Sequence, residues 1–288
     1  SEHMPWYDKM GDFNDYFAKL GYLLSESENQ VDTLILHPIK SAYLDYDRET
    51  DEASIRDLES SFTATVESFG KMQIPHHFGD ENIMRRHASV RDGKLIIVAC
   101  SYTYVYLPRM KCMDKFTYNL LVEFLNQGGK LVTEGGFPSY LEGEPFDFPH
   151  LHETATLSDI RASVPYRIET LSDGIRSAYR VGDFGRFLYI VNIGDVKADL
   201  RVRTPFSAAY VYDLVADEKY IPKTDGDAAL LTIPAGASVL LFEGGAHLPV
   251  AKAQAGENLL PDGIWNLTSP VKNSLTIDKA ALSYDGVT

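Results

Sequence analysis

The sequence predicts an α/β fold followed by an all-β fold: a doubly wound parallel sheet, then an antiparallel β-sandwich, then a truncated third module. Three observations lead to this prediction. A strand–helix–strand unit spans Val90 to Pro138, and such a unit places its strands in parallel. Short β-branched and aromatic runs, separated by turn signals, recur from Tyr166 onward, as they do in sandwiches. Strand-like pieces also occur within residues 257–288, which are too few to bury a core of their own.

The first part of the chain alternates between helical and strand-like patterns. Residues 7–24 carry apolar side chains at helical spacing, and we expect this N-terminal helix, within residues 1–30, to pack on the first domain. Val31 to Leu36 is an almost continuous apolar run, which is typical of a parallel strand buried on both faces. Three further elements follow: a helix over residues 49–70, a strand near Ile74 to Phe78 and a helix over Ile83 to Arg86.

The next stretch completes the predicted sheet. Two apolar runs lie beyond a hairpin signal at Asp92-Gly93. An amphipathic helix then ends at Gly128-Gly129, and a short strand over Lys130 to Thr133 comes next. Residues 31–137 therefore predict the order β-α-β-α-β-β-α-β, a doubly wound parallel sheet of flavodoxin-like kind.

The pattern changes after this domain. Residues 138–165 are rich in Pro, Glu and His and lack periodicity, which predicts a linker or a long surface loop. Residues 166–245 contain seven short strand-like runs with recurring turn signals, and they predict the antiparallel β-sandwich. Residues 246–256 predict a second linker, and residues 257–288 predict the start of a further β module or extra strands on the sandwich.

Composition narrows the classes of partner. The chain has 288 residues, enough for about two domains, and a formal net charge of −14. Such an acidic surface argues against nucleic acid and anionic membranes as partners. No apolar run reaches the roughly 18 residues that a membrane span needs, and no secretion signal precedes the first helix. We expect a soluble fragment of a longer protein, with the bacterial cytoplasm and secretion both open.

Polar side chains follow three of the predicted parallel strands. The candidate ligand-facing residues are His37, Lys40, Ser41, His77, Asp80, Glu81 and Glu134. Because the carboxyl ends of parallel strands meet at one edge of a sheet, we expect these side chains to share a crevice that binds a sugar or forms an acid/base set. Structural roles stay open beside this one, with Asp80 as a helix cap and Glu134 bonded to its turn.

The sequence favours neither a metal site nor a cofactor site. His76, His77 and Asp80 are close in sequence, but adjacent residues of a strand point to opposite faces, so the two histidines would not reach one ion. Two cysteines are too few for a structural zinc site without help from histidines. The chain also lacks the glycine-rich phosphate-binding motifs. We expect no metal, no cofactor and no catalytic residue.

Nucleophilic catalysis by cysteine is also disfavoured. Class I glutamine amidotransferases share the α/β architecture and hold a cysteine between glycines at a strand-to-helix turn. The comparable turn here, Thr133 to Gly136, contains no cysteine. Cys100 lies in a strand-like run, whereas Cys112 starts the predicted helix, where its pKa could be lowered. No His–acid pair is evidently matched to either thiol.

Several segments together resemble a known family. The runs LILHPIKSAY, HFGDENIM and FLNQGGKLVTEGGFP resemble the post-barrel region of large bacterial glycoside hydrolases, either of the α-L-rhamnosidase-like kind or related to trimeric β-galactosidases. The resemblance implies a flavodoxin-like or amidotransferase-like α/β domain, followed by β-sandwich modules, behind a catalytic (α/β)8 barrel. This chain has no room for that barrel, so no catalytic acid of the family can be assigned to one of its residues.

The resemblance implies a non-catalytic ancillary fragment of a multidomain glycoside hydrolase. Its partner would be the parent (α/β)8 barrel, while carbohydrate binding and homo-oligomerisation stay open. Two other hypotheses remain: a cysteine-dependent, amidotransferase-like hydrolase that uses Cys100 or Cys112, and a free-standing carbohydrate-binding protein.

Overall fold

The computed structural model describes residues 7–46, 53–245 and 247–250. The predicted third module over residues 257–288 and most of the second linker over residues 246–256 lie outside the described residues. The described residues belong to one compact unit.

Helices and short strands alternate up to residue 133, after a 3-10 turn at Tyr7–Lys9. In chain order they are α1 (Met10–Ser25), β1 (Ser27–Asn29), β2 (Thr33–Leu36), α2 (Ile39–Asp45), α3 (Ala53–Lys71), β3 (His77–Gly79), α4 (Glu81–His87), β4 (Ala88–Arg91), β5 (Lys94–Ile97), β6 (Cys100–Tyr102), β7 (Tyr104–Leu107), β8 (Cys112–Met113), α5 (Lys115–Asn126) and β9 (Lys130–Thr133). Within the described residues, the helices predicted for this part of the chain are present, with ends shifted by a few residues, and four of the five predicted strands pair in parallel.

The rest of the described chain consists almost entirely of strands. Its elements are β10 (Tyr140–Leu141), β11 (Glu144–Pro145), α6 (Leu157–Ser163), β12 (Arg167–Glu169), β13 (Ile175–Gly182), β14 (Gly185–Asn192), β15 (Ala198–Arg203), β16 (Ala209–Asp213), β17 (Glu218–Tyr220), β18 (Lys223–Asp225), β19 (Ala228–Ile233) and β20 (Ser238–Glu243). The seven predicted strands are found, whereas the short strands β17 and β18 were not predicted from periodicity.

Four strands form a parallel sheet in the order β3-β2-β7-β9. Numbered along the chain, this order is 2-1-3-4, whereas flavodoxin-like sheets have the order 2-1-3-4-5. Within the described residues no fifth strand pairs with β9. Side chains cover its free edge instead: Thr154 Oγ1 accepts from the Leu131 amide and Glu153 Oε1 from the Thr133 amide, both at 2.8 Å.

The two predicted apolar runs, Leu95 to Ala99 and Tyr102 to Leu107, belong to different sheets, which differs from the prediction. Strands β4, β5 and β6 form a separate antiparallel sheet, and the turn at Asp92-Gly93 joins β4 to β5. Both turn residues have positive φ, as two-residue hairpins of this type require. Of the two runs, only the second supplies a strand, β7, to the parallel sheet.

The two faces of the parallel sheet pack into different cores. Leu34, Val105 and Leu131 pack with residues of α4 and α5. On the opposite face, Ile35 packs in a core that includes Phe69 of α3 and extends into the strands after residue 165. Burial of such side chains contributes about 1.5–3 kcal/mol each. The α/β part and the β part therefore share one hydrophobic core, and their division into domains stays a prediction.

Two antiparallel sheets enclose the remainder of that core. Their orders are β1-β13-β14-β20-β16-β17 and β12-β15-β19-β18. Leu188 and Leu241 of the first sheet and Leu200 and Leu231 of the second belong to the same buried cluster. Alternation along each strand directs these residues inward, as expected for two sheets packed face to face.

The N-terminal helix is placed differently from the prediction. Leu20 and Leu23 of α1 pack against Phe187, Leu240 and Phe242, which lie on the outer face of the six-stranded sheet. Strand β1 then pairs with β13 of the same sheet. The prediction that this helix packs on the first domain is therefore wrong. The physical reason is that β14 and β20 are apolar on both faces, so their outer face needs a cover.

The segment predicted as a linker over residues 138–165 contains β10, β11 and α6. Phe148, Leu151 and Ile160 in this segment are buried. Thr156 and Asp159 form a reciprocal capping box at the start of α6. Periodicity did not reveal this seven-residue helix because two turns are too short to establish an apolar stripe.

Candidate functional site

A cavity of about 380 Å³ opens at the carboxyl edge of the parallel sheet. It is lined by Lys40, Tyr43, Leu44, Arg85, Cys112, Asp114, Glu142 and Gly143. Six of these residues follow β2, β3 or β7, and Glu142 and Gly143 lie between β10 and β11. Strand β2 pairs with β3 on one side and with β7 on the other, so the strand order reverses at β2. Such a topological switch point is where open α/β sheets usually bind ligands.

Asp114 lies at the base of this cavity, and its side chain is bound from two directions. Lys40 Nζ lies 3.2 Å from Asp114 Oδ1, and Arg85 forms an ion pair with Oδ2. The backbone amide of Asp114 donates to Glu81 Oε1 at 2.8 Å. Only 3% of Asp114 is exposed. Asp114 is thus fixed by three neighbours: Lys40 of α2, and Glu81 and Arg85 of α4.

Asp114 departs from the usual role of an aspartate at its position. It is the N-cap residue of α5, where Asp normally accepts from the backbone amides of the first turn, yet its side chain makes no capping hydrogen bond. Asp80, the N-cap of α4, does cap its helix, accepting from Asn82 N and Ile83 N at 2.9 Å. Capping of α4 is therefore a sufficient role for Asp80, without any contact to a ligand.

Glu81 supports Asp114 from inside the protein. It is 1% exposed, and burial raises the pKa of its carboxyl group. Its second oxygen, Oε2, has no hydrogen-bond partner within the described part of the chain. A neutral carboxylic acid costs less to bury than a carboxylate does, so this environment favours the protonated form.

Ser41 and Cys112 join α2 to the segment after β7. The hydroxyl of Ser41 is fully buried and accepts from the amides of Lys111 and Cys112, at 2.8 and 3.1 Å. Cys112 lies in β8 and not at a helix start, since α5 begins at Lys115. Burial raises the pKa of the Cys112 thiol, which is the opposite of the lowering considered for a helix N-terminus. Cys100 is exposed.

His76, just before β3, and His77, its first residue, lie on opposite sides of the sheet, as the alternation predicts. His76 packs edge-on against Phe69, whereas His77 Nδ1 lies 2.9 Å from the hydroxyl of Tyr102. Burial lowers the pKa of both imidazoles, so it favours their neutral forms. Neither histidine lines the cavity.

Glu134 and His37 lie elsewhere at the edge, and neither lines the cavity. Glu134 Oε2 accepts hydrogen bonds from Thr65 Oγ1 at 2.6 Å and Tyr106 Oη at 3.2 Å. Burial, with the charge of Glu134, raises the pKa of Tyr106, which therefore remains a donor. The ring of His37 packs edge-on against Phe62. Of the seven candidates, only Lys40 lines the cavity. Ser41 and Glu81 are buried behind it, where they accept hydrogen bonds from the amides of Cys112 and Asp114.

Sequence reasoning missed the central residue of this cavity. Asp114, Arg85, Tyr43 and Glu142 were not candidates, although Cys112 was considered as a thiol. One signal could have found Asp114: β7 is also a parallel strand, so the polar residues after it belong at the same edge.

Two other properties of the described residues bear on function. Across residues 7–46, 53–245 and 247–250, no three His, Cys, Asp or Glu side chains are grouped so that they could hold a metal ion. Over the same ranges, no helix has the length and apolar character that crossing a membrane would require.

No protein-family model and no curated protein sequence matches the chain. Among solved structures, a rhamnosidase from Novosphingobium sp. PP1Y aligns with 87% of this chain at a TM-score of 0.57 and 12% identity, and the aligned part is 26% of that enzyme. A β-galactosidase from Bacillus circulans sp. alkalophilus aligns with 85% of this chain at a TM-score of 0.51 and 11% identity, over 46% of its own length. The chain therefore has the fold of a part of these glycoside hydrolases and spans less than half of either.

Proposed function

We propose that this chain is a non-catalytic ancillary part of a multidomain glycoside hydrolase. The observation that carries the proposal is the alignment of 87% of the chain with 26% of a rhamnosidase. In this proposal residues 31–137 are a flavodoxin-like, amidotransferase-related α/β domain and residues 166–245 are a β-sandwich. Both support a separate catalytic (α/β)8 barrel in the same protein.

The states of the carboxyl groups support a non-catalytic role. A glycosidase needs one carboxylic acid that reaches the glycosidic oxygen and a second carboxylate near the anomeric carbon. Glu81 is too buried to reach a substrate. Asp80 is occupied as a helix cap, and Glu134 accepts two hydrogen bonds. Each acidic candidate at the edge thus has a structural partner that accounts for it.

Hydrolysis of aryl glycosides tests the proposal. The natural protein that contains this sequence should hydrolyse at least one 4-nitrophenyl glycoside, with L-rhamnoside and β-D-galactoside as the first substrates. The 288-residue chain alone should release no nitrophenol above background from any of them. Hydrolysis by the isolated chain would overturn the proposal, and so would a natural reading frame that encodes no further catalytic domain.

Thiol alkylation tests the cysteine-dependent alternative. Iodoacetamide should react with exposed Cys100 at the rate of an ordinary thiol, and with buried Cys112 about 100-fold more slowly, through local opening. The variant Cys100→Ser provides the control in which Cys112 is the only remaining thiol. A thiol that reacts much faster than free cysteine near pH 6 would support the hypothesis of an amidotransferase-like hydrolase instead.

A further inference from the structure

We propose that the cavity at the switch point of the parallel sheet is a binding site for a neutral pyranose sugar, held by Lys40 and Arg85, which Asp114 fixes in place, and stacked on Tyr43. The inference rests on the proposed function for its choice of sugars, while the site itself follows from the geometry of the cavity.

The ion-pair cluster is built at the expense of local structure. An aspartate at an N-cap usually contributes about 1 kcal/mol by capping its helix. Asp114 gives up that contact and binds Lys40 and Arg85 instead. Local rules are broken mostly where another demand is met, and the demand that fits here is a set of oriented polar groups facing the cavity.

The charged side chains that reach the cavity offer what a sugar hydroxyl requires. Asp114 is too buried to contact a ligand, whereas the exposed carboxylate of Glu142 can accept from hydroxyl donors. The ammonium of Lys40 and the guanidinium of Arg85 retain N–H groups that can donate to hydroxyl oxygens. Because Asp114 fixes both cations, little side-chain freedom is lost when a ligand binds.

The remaining lining residues favour a neutral ring over an anion. Tyr43 is 65% exposed, so its flat apolar face is available for stacking. Glu142 lies at the cavity with its own negative charge, which balances the second cation. The whole chain carries a formal charge of −14, which repels anions at long range. The volume of about 380 Å³ is at the small end of ligand sites.

Isothermal titration calorimetry on the 288-residue chain tests the site. The probes are methyl α-L-rhamnopyranoside and methyl β-D-galactopyranoside, with sodium acetate as the anionic probe. We expect one of the glycosides to bind with a Kd of about 1–10 mM, as a small polar ligand should, and acetate to give no heat. Tyr43→Ala should weaken glycoside binding about 5-fold or more.

The control substitution is Tyr22→Ala, which removes a tyrosine of similar exposure (62%) from α1. It should leave the Kd unchanged. Arg85→Gln should weaken binding as well. If Arg85→Gln is destabilised, the test rests on Tyr43→Ala, whose melting temperature should be unchanged.

Three results would overturn the sugar site: no heat with either glycoside, glycoside binding that Tyr43→Ala leaves unchanged, or acetate binding that Arg85→Gln removes. None of these would affect the ancillary role, since the hydrolysis experiment tests that role separately.

Discussion

Asp80 and Asp114 occupy the same position, the N-cap, in two helices that begin at the same edge of the parallel sheet. Asp80 bonds to the amides of its own helix, whereas Asp114 binds two cations from other segments. The difference shows that a residue type and its local position do not decide its role. Long-range neighbours, here Lys40 and Arg85, change a capping residue into the base of a cavity.

Removal of Asp114 should produce the largest effect in this comparison. Asp114→Ala leaves Lys40 and Arg85 without their common partner, which should cost about 2 kcal/mol of unfolding free energy because both cations are partly exposed. Urea denaturation at neutral pH measures this loss. Asp57→Ala is the matched control, since it removes an exposed ion pair with Arg109 and should change stability by less than about 0.5 kcal/mol. Equal effects of the two substitutions would contradict the central position of Asp114.

Removal of Asp80 should have a smaller effect, of a different origin. Asp80→Ala deletes two cap hydrogen bonds to α4 and should cost about 1 kcal/mol. Asp80→Asn should recover most of that loss, because an amide oxygen also caps a helix. A similar rescue by Asp114→Asn is not expected, since a neutral amide cannot form the two ion pairs. The denaturation midpoints of the four variants measure this contrast.

Substitution on the Glu134 side of the sheet edge should change the free energy of unfolding still less. Tyr106→Phe removes one hydrogen bond to Glu134, while the bond from Thr65 remains. The expected loss is about 0.5–1 kcal/mol, measured by thermal or urea unfolding. A loss larger than that of Asp114→Ala would reverse the order of the two sides.

The smallest effect should be a change in the pH dependence of stability. Burial raises the folded-state pKa of Glu81 above its ordinary value of 4.5, so the folded protein holds this proton more tightly than the unfolded chain does. Glu81 should therefore lower stability as the pH rises from about 4.5 through the raised pKa. The variant Glu81→Gln lacks this decline, and the gap between the two curves should widen with pH and then level off. A gap that narrows over this range would show that Glu81 is stabilised as a carboxylate.

Much of the fold follows from local patterns. The continuous apolar run of β2 and the amphipathic stripe of α5 could be read directly, because burial on two faces and on one face leaves different periodicities. The position of α1 could not be read, since its apolar stripe shows that it packs but not on which sheet. The turn signal at Asp92-Gly93 did indicate the hairpin of β4 and β5, but the pairing of β6 with β5 depends on contacts between strands that composition does not encode.

The candidate site was predictable only in part. Because they closely follow the first two parallel strands, Lys40 lines the cavity and Ser41 and Glu81 lie behind it. Asp114 was missed because six residues lie between it and the end of β7 and because its position in the sequence resembles that of a helix cap. Its ion pairs join residues far apart in sequence, and only the folded chain brings them together.

The sugar site is tested most directly by an amide chemical-shift map of the ¹⁵N-labelled chain during titration with the two methyl glycosides. Binding in the cavity should produce saturable shifts at the amides of Cys112, Asp114 and Gly143, which line it, and none at Thr65 or Glu134. Shifts confined to the Glu134 side, or none on either side, would contradict it.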